Sequence, residues 1–138
     1  TYIEKIKDLK NIEYITIHLE IEENIQNTLN KIKEYGFKRG ISIKPNTDIN
    51  KLIPYLDNIE LILIMTVEPG LGGQSFLKNS PNRIKEIKNL IKDKNILLEV
   101  DGGINDKTIN LVNAADIAVV GSYITTSDNM IEKVKTLV

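Results

Sequence analysis

Three short apolar runs, each followed by a glycine-containing loop, constrain the fold of this chain more than any other feature. These runs and their loops are residues 61–64 with 65–76, residues 96–98 with 99–105, and residues 117–120 with Gly121 and Ser122. Apolar runs of this length, bounded by Gly and Pro, are typical of buried strands. Because glycine lets a backbone approach its neighbours closely, the pattern predicts a ligand site built from loops at one end of a sheet.

The rest of the chain alternates strand-like and helix-like segments. Strands are predicted over residues 14–19, 40–44, 61–66, 96–101 and 117–120. Helices are predicted over residues 2–9, 22–35 and 128–137, and also after Thr47, after the N-cap Ser80 with Pro81 at the first helical position, and after the N-cap Asn105. Gly36 is expected to end its helix with a positive φ, and Pro54 to shorten or kink another. Such alternation predicts an α/β fold with a parallel sheet, either an open doubly wound sheet or part of a barrel.

Length and composition narrow the possible functions. The chain has 138 residues, 41% of them hydrophobic, which predicts a single domain over residues 1–138. Its 18 basic and 19 acidic residues are spread along the sequence, so no nucleic-acid partner is expected. The sequence has no apolar run of 18 residues, so no membrane partner is expected. The absence of Cys excludes disulfides and thiolate metal sites within these residues. A reducing cytoplasm is the expected compartment.

The three loop motifs, taken in this order, resemble those of the ribulose-phosphate 3-epimerase family. The resemblance implies a (β/α)8 TIM barrel, of which this chain holds an incomplete barrel of about five βα units, units four to eight. In this barrel Ile15, Ile17, Ile64 and Val119 are expected to point inward. It also implies an isomerase of carbohydrate metabolism, in the pentose phosphate pathway, that interconverts D-ribulose 5-phosphate and D-xylulose 5-phosphate. Because the chain begins at Thr1 within a predicted helix, and an eight-unit barrel needs roughly 200 residues, we expect a piece of a longer protein that is inactive alone.

Asp101 is the candidate catalytic residue. It ends a predicted buried strand, so its carboxylate should stand at the mouth of the strand, although an Asp there can also cap the following helix. The resemblance implies that Asp101 is both an acid/base and a ligand of a divalent metal cation (Zn, Fe, Mn or Co), with the remaining ligands and a second catalytic Asp on the three strands not included. Epimerisation needs two such groups, since a proton leaves one face of the carbon and returns on the other.

Glycine loops and one Met make up the predicted substrate site. The resemblance assigns substrate binding to Met65, Gly70, Leu71, Gly72, Gly73, Asp101, Gly102, Gly103, Gly121 and Ser122. Leu71 stands where the family usually has an aromatic residue. Backbone N–H groups on glycine turns and at helix N-termini can bind phosphate without Lys or Arg. The competing interpretation is that these glycines only make tight turns, and that Met65 only fills the core.

His18 is the only His, and it lies on predicted strand four rather than on a metal-binding strand of the family. We expect it at the barrel mouth beside the site, not as a metal ligand, because one His and one Asp are too few. Glu68 is expected either to be solvated or to fasten its loop. The partner is a small-molecule sugar phosphate, and a homo-oligomer is expected. The alternatives are a hexulose-phosphate 3-epimerase of the same architecture and a non-catalytic phosphate-binding α/β fragment.

Overall fold

A computed structural model describes residues 2–20, 24–68 and 75–138. Within these residues the chain alternates strands and helices as the sequence predicts. The strands are β1 (Tyr14–His18), β2 (Lys38–Ile43), β3 (Leu61–Met65), β4 (Leu97–Asp101) and β5 (Ile117–Val119). The helices are α1 (Tyr2–Ile6), α2 (Ile25–Glu34), α3 (Ser80–Leu90), α4 (Ser122–Thr125) and α5 (Met130–Lys135), with 3₁₀ helices at Ile49–Tyr55 and Ile109–Val112.

The described strands form one parallel sheet in the order β1-β2-β3-β4-β5, the same order as in the sequence. A doubly wound sheet reverses its strand order at a switch point, and this sheet does not. Successive βα units that always step in one direction are the units of a barrel. The fold is therefore the predicted incomplete barrel, and the open doubly wound alternative is wrong.

One face of the sheet is covered by helices and forms the core. Its fully buried residues alternate along the three central strands and pack with helical residues such as Leu29, Ile84 and Ile87. These strand residues are Ile41, Ile43, Ile62, Ile64, Leu98 and Val100. Burying these side chains removes apolar area from water and so stabilises the fold.

We expected Ile15, Ile17 and Ile64 to point into the barrel, and this was wrong. Ile17 is aligned with Ile41, and Ile64 with Val100, so these side chains lie on the helix-covered face. Successive side chains of a strand point to opposite faces, so a one-residue error in phase moves a whole strand's assignment. Val119, predicted inward with them, does lie on the other face.

We call that other side the open face, because no described helix covers it. Its residues are Tyr14, Thr16, His18, Lys38, Gly40, Ser42, Leu61, Leu63, Met65, Leu97, Glu99, Asp101, Ile117 and Val119. Leu97 is 37% exposed and Val119 36% exposed, although both belong to strands of a parallel sheet. Parallel sheets are normally covered on both faces, so these residues form the incomplete side of the fold.

Helix ends differ from the predictions in small ways. Gly36 has a φ of 85° and follows α2, as predicted. Helix α3 begins one residue earlier than predicted, with Asn79 as N-cap, so Ser80 is its buried first residue and not the cap. Asn105 accepts bonds from the backbone N–H groups of Lys107 and Thr108, yet the helix that follows is a 3₁₀ helix. The short helix α4 was not predicted.

Candidate active site at the carboxyl ends of the strands

Asp101 lies at the carboxyl edge of the sheet, between the ends of strands β3 and β5. It is the last residue of β4, aligned with Met65 on β3 and with Val119 on β5. All three side chains are on the open face, and those of Met65 and Asp101 are half-buried. The Asp101 carboxylate thus stands at a strand end with access to the open face, as the sequence predicts.

Thr66 fixes the backbone of this edge. It is fully buried, and its N–H donates to the Asp101 carbonyl at 2.8 Å. The Thr66 hydroxyl approaches the carbonyls of Asp101 and Gly102, at 2.9 and 2.6 Å, and its single proton is shared between them. Its own carbonyl accepts from the Leu77 N–H at 2.9 Å. Sequence reasoning missed Thr66, whose only signal was a hydroxyl at the end of an apolar strand.

Gly102 and Gly103 make a turn that only glycine fits. Their φ values are 121° and 66°. A Cβ on Gly102 would lie 2.6 Å from a Val67 methyl group, and a Cβ on Gly103 would lie 2.8 Å from the backbone N of Phe76. Packing therefore explains both glycines, as the tight-turn interpretation requires, and their backbone groups face the start and the end of the preceding loop.

The predicted substrate loop lies outside the described residues at Gly70, Leu71, Gly72 and Gly73. Its two ends are described, and they come close to the turn after Asp101, since Val67 adjoins Gly102 and Phe76 adjoins Gly103. The Asn46 side-chain amide donates to Glu68 at 3.3 Å, which agrees with the loop-fastening role predicted for Glu68. Two of the three predicted loops are therefore neighbours at this edge.

Gly121 differs from the glycines of the turn. Its φ is −97°, and among the described residues no atom lies within 4 Å of where its Cβ would be. Gly121 and Ser122 are exposed just beyond β5, the strand next to β4. Described packing gives no reason for a glycine here, which leaves open space beside the strand end.

A second carboxylate, Glu99, was not singled out from the sequence. It lies on the open face two residues before Asp101 and is half-buried. Burial raises the pKa of Glu99, and the nearby charge of Asp101 raises that pKa further. The carboxyl end of β4 therefore carries two half-buried acidic side chains on the open face, Glu99 and Asp101.

His18 lies on the open face of β1, aligned with Ser42. Its Nδ1 is 3.8 Å from Glu20 Oε2, and that nitrogen is buried without a hydrogen-bond partner among the described residues. Glu20 accepts from the Lys44 N–H at 2.8 Å and from the Thr47 hydroxyl. Burial would raise the pKa of Glu20, but these hydrogen bonds outweigh burial and lower it.

The described residues do not complete a metal site. No group of three or more His, Cys, Asp or Glu side chains among them could hold a metal ion. His18 on β1 and Asp101 on β4 are separated by two strands. Within the same residues, no helix has the length and apolar character needed to cross a membrane.

Comparison with known proteins points to one family. Residues 1–125 match the sequence profile of the Ribulose-phosphate 3 epimerase family. Ribulose-phosphate 3-epimerase of Buchnera aphidicola subsp. Schizaphis graminum is 43% identical over 116 residues, covering 81% of this chain and 51% of that protein. The Escherichia coli K12 protein of the same name is 40% identical over 114 residues, covering 80% of this chain and 51% of that protein. The chain thus spans about half the length of these relatives.

Solved structures with low sequence identity share the fold. KGPDC from Streptococcus mutans is 14% identical with a TM-score of 0.69, covering 91% of this chain and 59% of that one. The 3-hexulose-6-phosphate synthase from Salmonella typhimurium is 18% identical with a TM-score of 0.64, over 91% of this chain and 59% of that one. At these identities the likeness concerns the fold alone.

Proposed function

Because this chain belongs to the ribulose-phosphate 3-epimerase family, we propose that the protein interconverts D-ribulose 5-phosphate and D-xylulose 5-phosphate. The observation that carries the proposal is the position of Asp101. Its carboxylate ends β4 on the open face, beside Met65 and directly before the Gly102-Gly103 turn. Carboxyl ends of barrel strands are where enzymes of this architecture hold their substrates.

The proposed step of Asp101 is a proton transfer at C3. Its carboxylate takes the proton from C3, the carbon next to the ketone, and the electron pair of that C–H bond forms the double bond of an enediolate. A second acid on the opposite face returns a proton to C3, which inverts the carbon. Thr66 supports this step indirectly, since it holds the Asp101 backbone with two hydrogen-bonding groups.

The phosphate is proposed to bind beyond β4 and β5, near Gly102, Gly103, Gly121 and Ser122. Barrels frequently hold phosphate with the loops that follow their last two strands. The open space at Gly121 supports this placement, because no packing neighbour of this glycine is found in the part of the chain that the structure describes. Met65 is proposed to line the sugar between this region and β3.

A divalent metal would need ligands from outside the described residues. Asp101 offers one carboxylate, and the nearest Glu99 and Met65 do not make a set of metal ligands with it. We therefore propose that Asp101 is one metal ligand and that the other ligands come from outside the described residues. When bound, the metal would stabilise the enediolate charge.

Three further properties remain proposals. A single domain over residues 1–138 is proposed, since one sheet and one core cluster account for the described fold. A cytoplasmic location and a homo-oligomeric assembly are proposed from the sequence and the family. The exposed residues of the open face, such as Leu97 and Val119, support burial of this face in the complete protein.

Solvent exchange at C3 tests the function directly. The complete protein, incubated with D-ribulose 5-phosphate in deuterated water, should form xylulose 5-phosphate and place deuterium at C3. Asp101→Asn should slow both processes about 10²- to 10⁴-fold, the range for loss of a general base. The matched control is Asp106→Asn, because Asp106 is exposed in the same loop region and should leave both rates unchanged. An Asp101→Asn variant with more than a tenth of the wild-type rate would refute the role of Asp101.

A further inference from the structure

His18 is a polar residue of the open face that the proposed proton transfer does not use. Its side chain is 37% exposed, yet Nδ1 is buried and lacks a hydrogen-bond partner among the described residues. Leaving a buried imidazole nitrogen unpaired costs free energy, so the ring orientation needs a reason. The solvent-accessible part of the ring is the part away from Nδ1.

Glu20 explains why the ring is held in this way. Its Oε2 lies 3.8 Å from Nδ1, which is beyond hydrogen-bond distance but places a negative oxygen beside that nitrogen. The same carboxylate is fixed by the Lys44 N–H and the Thr47 hydroxyl, so it cannot easily turn away. A fixed carboxylate beside Nδ1 favours the proton on that nitrogen. Nε2 is then left as a hydrogen-bond acceptor.

The place of His18 in the sheet limits what it can contact. Strands β1 and β4 are three strand spacings apart. At about 4.8 Å per spacing, His18 and Asp101 lie about 14 Å apart along the sheet. The direct distance across the concave side of a barrel sheet is shorter. Side chains that start about this far apart can contact two ends of one small ligand that lies between them. Both side chains border the same open face, near its carboxyl edge.

We propose that His18 contacts the hydroxyl end of the bound sugar phosphate, with Glu20 as its positioning residue. This inference rests on the proposed function, which places the phosphate beyond β4 and β5. The carbon chain would run from there past Met65 and Asp101 toward β2 and β1. Nε2 accepts a hydrogen bond from a hydroxyl group far from the phosphate. The contact selects for a sugar chain long enough to reach β1.

Two substitutions separate this contact from a merely structural role. Asn carries its amide where Nδ1 lies, whereas the longer Gln carries it where Nε2 lies. In the complete protein, His18→Asn should raise KM for D-ribulose 5-phosphate about tenfold with little change in kcat, the usual effect of losing one hydrogen bond. His18→Gln should keep KM within about threefold of the wild type. A structural role through Glu20 predicts the opposite order, with Asn tolerated and Gln harmful, and that order would overturn the proposal.

NMR shifts with ligands of increasing length test this contact without turnover. The imidazole NMR signal of His18, assigned from its loss in His18→Asn, should shift with the five-carbon sugar phosphate. It should not shift with inorganic phosphate or with a three-carbon sugar phosphate, which are too short to reach β1. Equal shifts with all three ligands, or none with any, would overturn the contact. Binding with the expected shift but no epimerisation would refute the proposed function and leave the contact standing.

Discussion

Replacing Gly103 by Ala should destabilise the fold through a clash that can be measured separately from backbone strain. A non-glycine residue at its φ of 66° costs about 1–2 kcal/mol. The new Cβ would also lie 2.8 Å from the backbone N of Phe76, which cannot swing aside as a side chain can. Overpacking of this kind typically adds about 1–3 kcal/mol. We therefore expect Gly103→Ala to lower the free energy of unfolding by about 2–5 kcal/mol.

Gly36 provides the matched control for this experiment. Its φ is 85°, but no described atom lies within 4 Å of its Cβ position. Gly36→Ala should therefore lose only the strain term, about 1–2 kcal/mol. Urea unfolding of the complete protein measures both variants, and the difference between them is the cost of the contact with Phe76. Equal losses would refute the packing of Phe76, at the end of the predicted substrate loop, against the turn after Asp101.

The remaining predictions concern phosphate binding, acid stability and the open face. Gly121→Val should weaken binding of inorganic phosphate at least tenfold by filling the open space beyond β5, and unchanged affinity in calorimetry would remove Gly121 from the phosphate site. Burial would raise the pKa of Glu60, but its hydrogen bonds from Arg39 outweigh burial and lower that pKa. The stabilisation by this ion pair is therefore complete above the ordinary carboxyl pKa and is lost as the pH falls through the lower pKa of the folded state. Glu60→Gln should therefore cost about 1.5–3 kcal/mol at pH 7 and flatten the acid limb of a pH–stability curve, whereas an unchanged curve would count against the ion pair. Residues 1–138 expressed alone should self-associate in sedimentation and show no epimerase activity. An active, cooperatively melting monomer would contradict the inference that the open face is the incomplete side of the fold.

The sequence predicted the order and type of the strands better than their faces. Apolar runs with glycine loops located three strands, and alternation with β-branched residues located the first; all five predicted strands agree with the structure to within two residues at each end. The predicted side-chain directions of Ile15, Ile17 and Ile64 were wrong. On β3 both faces are apolar, so alternation carries little signal there. On β1 the polar residues Thr16 and His18, not the isoleucines, lie on the open face. The predicted N-cap of α3, Ser80, is one residue too late, because Asn79 and Ser80 are both good cap residues and the structure uses Asn79.

Site residues could be predicted from the sequence only where their position depends on local features. Asp101 could be placed because a strand end followed by two glycines fixes its position locally. Thr66 and Glu20 could not, since their partners lie 35 and 24 residues away along the chain at Asp101 and Lys44. Contacts between elements depend on register, and a single sequence gives no direct measure of register. The role of Gly121 stays a prediction, supported by the empty space beside it.

Agreement between strand order and chain order has a consequence for how the sheet assembles. Each described strand pairs only with the strands next to it in the sequence, so no pairing waits for a distant part of the chain. Loops closed between neighbouring units stay short, which lowers the entropy lost when each pair forms. The sheet can therefore grow outward from any central pair, one unit at a time. In such a molecule, cutting or joining the chain between units would alter the ends of the sheet while leaving the pairings inside it intact.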